Sequence, residues 1–455
     1  MTLKFYNTRT RKKEIFKAIK KSEVGIYSCG PTVYWYQHIG NLRTYIFSDI
    51  LKRVLIYNKF KVEHVMNITD VGHLSSDADS GEDKMEKSAK KEGKTAKEIS
   101  EFYFSIFEND LKKLNIIKPN IWCKATEHIK EQINLIKILE EKGYTYKTSD
   151  GIYFDTSKFK DYGKFANLNI EGLKAGKRID LGEKKNKTDF ALWKFSKPDE
   201  KRQQEWNSPW GKGFPGWHIE CSAMSSKYLG EQFDIHTGGI DHVPIHHTNE
   251  IAQSECAFEK KPWVNFWMHG EFLNFKDGKM SKSSGKILTI SDLEKKGFEP
   301  LVYRYFCLTT HYRKQLIFSM ENLVSAKNSY ERLKNILSEI KDDKKINEKY
   351  LQEFEKAINN DLDMPNALQV LWKLIRDKNA KGKFQTIKKM DEVFGLNLLE
   401  KGKVKVPDEV KKLVEEREIY RGEKNWKKAD SLREKIKKLG FEILDGKSGV
   451  GVKRI

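Results

Sequence analysis

The chain has 455 residues, which exceeds the roughly 250–300 residues that one hydrophobic core organises, so several domains are expected. Hydrophobic residues at 38% and aromatic residues at 12% exclude wholesale disorder. No apolar run reaches the ~18 residues of a membrane span, and the polar N-terminus does not resemble a secretory signal, so we expect a cytoplasmic protein without a membrane partner. Five scattered cysteines fit a reducing compartment better than a disulfide framework.

The charge balance suggests a polyanionic partner. The formal net charge is +20, and residues 401–455 carry 17 basic and 10 acidic residues, a net +7. A lysine-rich composition on solvated helix faces explains the same numbers, and charge alone does not separate the two interpretations.

The N-terminal part predicts a parallel sheet with crossover helices. A strand over 24–28 leads through Cys29-Gly-Pro-Thr into a helix over 41–57, and a second strand follows at 62–68. This βαβ order is typical of an α/β fold with a ligand at its loops. Residues 75–94 are predicted to form a polar, mobile surface loop, followed by helices at about 95–114 and 126–142.

The alternation of strands and helices is interrupted after about residue 115. Residues 116–205, with a strand at 151–155, predict an insertion in the sheet domain, and a strand at 233–237 runs into Gly238-Gly239 and a helix over about 244–258. Amphipathic helices are expected from about 320 to 395, and a basic module closes the chain after Pro407.

Histidine clusters between 218 and 247, near one cysteine and one glutamate, which suggests a metal. His246 and Glu250 at i and i+4 share one helix face, whereas His247 has Ile251 at that spacing. Cys221 adds a thiolate, and Cys29, at the end of the first strand, is placed to complete the set. The two cysteines are equally compatible with ordinary buried thiols, the interpretation that also applies to the other three.

Two segments suit phosphates. His38, Gly40 and Asn41 lie where the first helix begins, and helix N-termini bind phosphates through free amide groups and the dipole. Lys279-Met-Ser-Lys-Ser283 places two lysines and two hydroxyls on a glycine-flanked loop that could grip a triphosphate.

Together, the 38–41 and 279–283 segments resemble the paired signatures of class I aminoacyl-tRNA synthetases. Further segments narrow the resemblance to the cysteinyl-tRNA synthetases, over essentially the whole chain. They are Cys29-Gly-Pro-Thr-Val-Tyr34, Asn67-Ile-Thr-Asp70, Gly216-Trp-His-Ile-Glu-Cys-Ser-Ala-Met224, Asp234-Ile-His, the run from His246 to Ser254, and Lys424-Asn-Trp-Lys-Lys-Ala-Asp430.

The resemblance implies an ATP-dependent cysteine–tRNA ligase, expected as a monomer, with tRNA(Cys), L-cysteine and ATP with Mg²⁺ as substrates. Its fold would be α/β, with a Rossmann-type parallel-sheet catalytic domain, an inserted connective domain, a helical bundle and a small C-terminal module. The implied segments are 1–115 and 206–270 for the two catalytic halves, the second with the zinc site, 116–205 for the insertion, 271–319 for the Lys-Met-Ser-Lys-Ser loop and stem-contact region, 320–398 for the tRNA-binding bundle, and 399–455 for anticodon recognition.

Residue roles follow by position. One Zn²⁺ per chain would be held by Cys29, Cys221, His246 and Glu250, and would bind the substrate thiolate and reject serine without editing. The implied catalytic residues are His38, Asn41, Lys279 and Lys282. These four would also contact ATP, together with Gly40, Gly238, Gly239 and Asp241. The amino acid would meet Cys29, Thr69 and Trp217, and tRNA would meet Lys424, Trp426, Lys427 and Lys428.

Three departures from the family pattern stand out. Asn41 replaces a second histidine, the segment after Asp70 lacks the usual Asp-Asp-Lys, and Val450-Gly-Val452 replaces an aromatic ending.

Three other functions remain possible at this stage. They are a relative that joins cysteine to a sugar amine, a zinc-dependent nucleoside deaminase, of whose signature His218-Ile-Glu220 is half, and a non-enzymatic nucleic-acid-binding protein.

Overall fold

The computed structural model describes residues 2–72, 83–168, 183–197, 202–275, 287–400, 407–446 and 449–454. These residues form two compact units, Met1–Leu398 and Leu399–Ile455. The second begins where the C-terminal module was expected. None of the described helices is both long and apolar enough to cross a membrane.

The described strands are β1 (Lys4–Asn7), β2 (Lys12–Ile15), β3 (Glu23–Ser28), β4 (Lys61–Ile68), β5 (Ile121–Lys124), β6 (Thr145–Lys147), β7 (Gly151–Phe154), β8 (Phe190–Phe195), β9 (Trp206–Ser208), β10 (Gly211–Pro215), β11 (Phe233–Gly239), β12 (Val264–Gly270), β13 (Leu273–Phe275), β14 (Leu316–Phe318), β15 (Phe441–Gly446) and β16 (Gly449–Arg454).

The described α-helices are α1 (Ile39–Tyr57), α2 (Lys84–Glu92), α3 (Ala96–Lys113), α4 (Ile129–Glu141), α5 (Trp217–Leu229), α6 (Thr248–Phe258), α7 (Ile290–Lys295), α8 (Pro300–Leu308), α9 (Met320–Ser338), α10 (Glu348–Ile358), α11 (Met364–Arg376), α12 (Lys383–Phe394), α13 (Asp408–Gly422) and α14 (Trp426–Lys438).

A five-stranded parallel sheet organises the first unit, in the order β12-β11-β3-β4-β5. The α1 helix crosses from β3 to β4, and it buries Leu42, Ile46, Ile50 and Val54, which recur every four residues. The expected βαβ unit and the α/β fold class are therefore confirmed. Because β3 and β11 are neighbours but belong to different halves of the chain, their carboxyl ends mark the point where the strand order reverses.

A second, antiparallel sheet, in the order β6-β7-β8-β10-β9, forms the insertion. The boundaries predicted for it, 116 and 205, need correction. Ile121–Lys124 is the edge strand of the parallel sheet, and Gly211–Pro215 belongs to the antiparallel sheet. Strands this short carry little periodicity of their own, so pairing partners decide which sheet they join.

The predicted loop over 75–94 is wrong in its second half. Residues 84–92 form the α2 helix, which is capped by the Asp83 carboxylate and ended by Gly93 in the left-handed conformation. Met85 and Ala89 are each 1% exposed and pack against α3. The high charge of the segment concealed an apolar i, i+4 pair of only two residues. Residues 73–82 lie outside the described part.

The helices α9 to α12 form the expected bundle and pack within the first unit. The buried Arg304 side chain donates hydrogen bonds to the Phe394 and Leu114 carbonyls and to Asp49 Oδ2 of α1, so it joins bundle and sheet domain. The second unit packs α13 and α14 with the β15–β16 hairpin around its own core of Val410, Ile436, Phe441 and Ile443.

Candidate active site and metal centre

A cleft of about 280 Å³ opens at the carboxyl ends of β3 and β11. Ligands of open parallel sheets bind at such a reversal of strand order. Six of the predicted site residues line this cleft, namely Cys29, His38, Asn41, Trp217, Gly239 and Asp241. The cleft therefore lies between the end of β3, the start of α1 and the end of β11.

One end of the cleft is the N-terminus of α1. His38 is the N-cap: its Nδ1 accepts a hydrogen bond from Asn41 N at 3.1 Å, and Asn41 Oδ1 accepts one from His38 N at 3.3 Å. A neutral His38 ring therefore carries its proton on Nε2. No acidic residue lies in the first turn, so the positive end of the helix dipole is not neutralised there.

Gly40 leaves room for this cap. A Cβ at residue 40 would lie 3.0 Å from both Cε1 and Nδ1 of the His38 ring. Any larger residue would therefore require the ring to shift by a few tenths of an ångström.

The other end of the cleft is a buried group of metal-binding side chains. One ligand atom from each of Cys29, His246, His247 and Glu250 lies within 4.8 Å of the others, and all four residues are buried. His246 Nε2 is 2.8 Å from Glu250 Oε1, and Cys29 Sγ is 3.2 Å from His247 Nε2. Thiol, imidazole and carboxylate together form the donor set that zinc prefers.

Cys221 belongs to the same group, because its thiol contacts both Cys29 and His246. The hydrogen bond with Cys29 lowers the pKa of Cys221 to about 6, so its thiolate is accessible near neutral pH. Burial, and the same contact, raise the pKa of Cys29. The two sulfur atoms thus share one proton. This proton must leave before both cysteines can bind a metal as thiolates.

Glu250 is ionised in this buried place. Burial would raise the pKa of its carboxyl, but His236 and His246 hold it at about 2. Its Oε2 lies 2.9 Å from His236 Nε2, and its Oε1 lies 2.8 Å from His246 Nε2. A buried carboxylate held between two imidazoles fits a site that gathers metal ligands.

His247 was set aside by the helical spacing argument, yet it faces the same group. The reason is that residues three apart also share a helix face, and His247 Nε2 lies 3.9 Å from Glu250 Oε1 at that spacing. His269, which lies outside the predicted cluster, contacts His247 Nδ1 at 2.7 Å. Sequence reasoning missed both residues, although the i, i+3 spacing of His247 and Glu250 was an available signal.

Three further predicted site residues, two glycines and one aspartate, lie at the end of β11. Gly238 and Gly239 end β11, and Asp241 lies in the turn after it. A Cβ at Gly238 would lie 2.6 Å from the His247 ring and 2.8 Å from the His242 ring. The bare backbone at this position lets the histidines approach the strand end.

The two predicted amino-acid contacts differ in position. Trp217, at the start of α5, lines the cleft and stacks on His246 with ring centroids 4.3 Å apart. Thr69 is buried behind Thr32, with which it forms a β-bridge, and its hydroxyl accepts a hydrogen bond from Asn67. Thr69 is not among the described residues that line the cleft, and its contact with an amino acid stays a prediction.

Lys279 and Lys282 lie in 276–286, outside the described residues. The flanks of that segment meet the start of α1. Leu288 O accepts a hydrogen bond from Ile39 N at 2.9 Å, and Ile287 lines the cleft.

The predicted tRNA contacts Lys424, Trp426, Lys427 and Lys428 are all exposed on the second unit. Trp426 has 58% of its surface exposed, and Lys428 Nζ lies 4.7 Å from the centre of the Tyr420 ring.

The chain is similar to known proteins over most of its length. The family described as "tRNA synthetases class I (C) catalytic domain" matches residues 15–328. A cysteine–tRNA ligase 1 of Burkholderia lata is 49% identical over 453 residues, covering 99% of this chain and 96% of that protein. The chain belongs to the cysteine–tRNA ligase family of class I synthetases.

A second family member, the cysteine–tRNA ligase of Treponema denticola, is 48% identical and covers 99% of both chains. A solved structure of Mycobacterium tuberculosis methionyl-tRNA synthetase with methionyl-adenylate covers 83% of this chain and 89% of its own, with a TM-score of 0.56 at 13% identity. That similarity concerns the fold alone and confirms the Rossmann-type class.

Family membership confirms the resemblance found in the sequence. It also excludes the nucleoside deaminase and the non-enzymatic binding protein.

Proposed function

We propose that the chain activates L-cysteine with ATP and transfers the cysteinyl group to the terminal adenosine of tRNA(Cys). One observation carries the proposal: the His38-capped helix terminus lines the same cleft that the buried group of thiol, imidazole and carboxylate reaches through Cys29. A thiol-bearing substrate and a triphosphate can therefore meet there.

In the first step the cysteine carboxylate attacks the α-phosphorus of ATP, which is bound with Mg²⁺, and pyrophosphate leaves. In the second, the 2′-hydroxyl of the terminal adenosine takes the cysteinyl group and AMP leaves. No group on the chain needs to bond covalently to a substrate. The protein therefore acts by positioning the substrates and by stabilising the negative charge that develops on the phosphates.

His38 is proposed to donate from Nε2 to phosphate oxygens, since its Nδ1 is engaged by the backbone of Asn41. Asn41 uses Oδ1 for the cap and keeps its amide hydrogens for donation, which partly replaces the histidine that its position lacks. Lys279 and Lys282 are proposed to neutralise the β- and γ-phosphates, while Gly239 and Asp241 border the adenosine.

The metal centre is proposed to hold Zn²⁺ through Cys29, Cys221, His246 and Glu250. When bound, zinc would bind the substrate thiolate in preference to the hydroxyl of serine. His236 would orient Glu250, and His247 would lie against Cys29, as their contacts suggest. Trp217 is proposed to close the pocket around the amino acid by its stacking on His246.

Transfer to tRNA is favoured over transfer to a sugar amine. The match to the Burkholderia lata relative covers 99% of this chain and therefore includes its C-terminal module. The exposed Trp426 and its lysine neighbours suit stacking on a base and contact with phosphates. We further propose that the chain acts as a monomer in the cytoplasm, where its substrates lie.

The test is aminoacylation by purified protein with radiolabelled cysteine and ATP. Label should enter tRNA(Cys) and no amino sugar should consume cysteinyl-adenylate. Labelling of an amino sugar but not of tRNA would contradict the proposal.

A further inference from the structure

Four aromatic rings gather at the outer edge of the cleft. Tyr103 is the buried centre, and Trp35, Tyr36 and Phe102 surround it with ring centroids 5.7, 5.0 and 5.1 Å away. The Tyr103 hydroxyl donates to Glu92 Oε1 at 2.6 Å, which fixes the central ring. The outer rings remain accessible: Tyr36 is 40% exposed and Phe102 is 41% exposed.

Lysines of α2 and its C-terminal flank lie among these rings. Lys91 Nζ is 5.2 Å from the centre of the Trp35 ring, and Lys94 Nζ is 4.6 Å from the centre of the Phe102 ring. Lys84, at the start of α2, lines the cleft itself. From Lys84 to Lys94 the chain carries five lysines and two glutamates, so the positive charge outweighs the pairing of Lys94 with Glu92.

We propose that this aromatic–lysine wall, made of Trp35, Tyr36, Phe102, Lys84, Lys91 and Lys94, binds the single-stranded 3′ end of the tRNA. Bases stack on the exposed rings, and the lysines contact the phosphates between them. The inference rests on the proposed function, because it concerns the path by which the tRNA end enters the cleft.

Two features favour this occupant. Trp35, Tyr36 and Lys84 line the cleft that also holds His38 and Trp217, so the wall is continuous with the place where the terminal adenosine reacts. Flat rings interleaved with cations match a strand of unpaired nucleotides, since every base has a ring face and every linkage a negative charge. An acidic polypeptide would satisfy the lysines but not the exposed rings.

The experiment measures tRNA affinity for the wild type and for the double variant Phe102→Ala/Lys94→Gln. Neither residue lines the cleft, and both side chains are exposed. Two tRNA(Cys) transcripts are compared, one of full length and one that lacks the unpaired nucleotides at its 3′ end.

The variant is expected to bind the full-length transcript at least roughly fivefold more weakly, and the shortened transcript as the wild type does. Equal affinity for the full-length transcript, or an equal loss on both transcripts, would overturn the proposal. An acidic protein as the occupant predicts the first of these results, and a contact with the tRNA duplex predicts the second.

The matched control is Lys12→Gln/Ile15→Ala, which removes one exposed lysine and one exposed apolar side chain from β2. It should leave both affinities unchanged. Cysteine-dependent ATP–pyrophosphate exchange should be unaltered in both variants. If it is absent from the wild type, the proposed function fails instead. If Phe102→Ala/Lys94→Gln loses pyrophosphate exchange while the control keeps it, the double variant Lys91→Gln/Lys94→Gln is measured instead. It must then bind the full-length transcript more weakly and the shortened transcript as the wild type does.

Discussion

At the scale of single residues, the metal centre offers five donors, and zinc in proteins commonly takes four. Cys29, His246 and Glu250 belong to any choice, so Cys221 and His247 are the alternatives. Cys221 is favoured because its pKa is held at about 6, which makes its thiolate available, and because its thiol contacts both Cys29 and His246.

We therefore expect Cys221→Ser to lose bound zinc and His247→Gln to retain it. Metal analysis of the purified variants measures both. The opposite pattern, with zinc retained in the serine variant and lost in the glutamine variant, would assign the fourth ligand to His247.

Gly40→Ala should slow adenylate formation while the fold survives. The new Cβ would lie 3.0 Å from the His38 ring and would require the ring, and the Nε2 proposed to meet phosphate, to shift by a few tenths of an ångström. Gly422→Ala is the control, because a Cβ there meets nothing within 4 Å. Single-turnover adenylate formation at equal rates in both variants would refute the role assigned to the capped ring.

Lys282→Ala should reduce the rate of adenylate formation by roughly 10²–10³-fold and leave cysteine affinity nearly unchanged. The lysine is assigned to phosphate charge that develops along the reaction. Pre-steady-state measurement of adenylate separates the two effects. A loss confined to cysteine affinity would contradict that role.

At the scale of elements, α1 connects the cleft to the helical bundle. Its Asp49 is fully buried and accepts from Arg304 Nη2 at 2.6 Å and from Arg53 Nε at 2.8 Å. Arg304 in turn donates to the Phe394 carbonyl at the end of α12. The helix whose N-terminus is proposed to bind phosphate is therefore anchored to the bundle by a buried ion pair.

Asp49→Asn should destabilise the first unit by about 3–5 kcal/mol, because it leaves Arg304 buried and uncompensated. Urea unfolding followed by tryptophan fluorescence measures the change. Glu101→Gln, at an exposed surface pair with Lys97, is the control and should change stability by less than about 1 kcal/mol.

The same pair makes stability depend on pH. Burial would raise the pKa of Asp49, but Arg304 and Arg53 hold it below its usual value. A carboxyl with a lowered folded-state pKa contributes stability above its unfolded-state pKa and loses it as pH falls. The stability difference between wild type and Asp49→Asn should shrink below about pH 4. A difference that stays constant there would contradict the assignment.

The elements also show what the sequence could predict. The spacing of Leu42, Ile46, Ile50 and Val54 was sufficient for α1, because its apolar stripe is regular and long. The α2 helix was missed because its only buried apolar residues are Met85 and Ala89, in a highly charged segment. His247 was missed because only the i, i+4 spacing was considered, whereas it meets Glu250 at i, i+3. Pairing in the antiparallel sheet depends on contacts between distant strands, which periodicity does not encode.

At the scale of the whole molecule, the proposed roles fall on two separate units. All the described residues assigned to ATP and cysteine lie in Met1–Leu398, and the exposed Trp426 and its lysines lie in Leu399–Ile455. Truncation after Leu398 should therefore preserve cysteine-dependent pyrophosphate exchange and lower aminoacylation. Loss of exchange by a folded truncated protein would give the second unit another role.

Trp426→Ala in the full chain should weaken tRNA binding by ~1–3 kcal/mol with little change in salt dependence, because it removes stacking rather than charge. Replacement of Lys427 and Lys428 by glutamine should instead flatten the slope of log affinity against log salt, by roughly 0.7–0.9 for each phosphate that the protein no longer neutralises. Affinity measured at several salt concentrations distinguishes these outcomes. A salt slope changed by Trp426→Ala would argue against stacking.

We propose that the metal centre selects the thiol of cysteine and that the N-terminus of α1 binds the phosphates of ATP, so that both act on one substrate pair. The most direct measurement is ATP–pyrophosphate exchange by the purified full chain, with cysteine and serine compared at equal concentrations. Exchange should depend on cysteine, be at most marginal with serine, and be lost in Cys221→Ser. Exchange that is absent with cysteine, or equal with serine, would contradict the account.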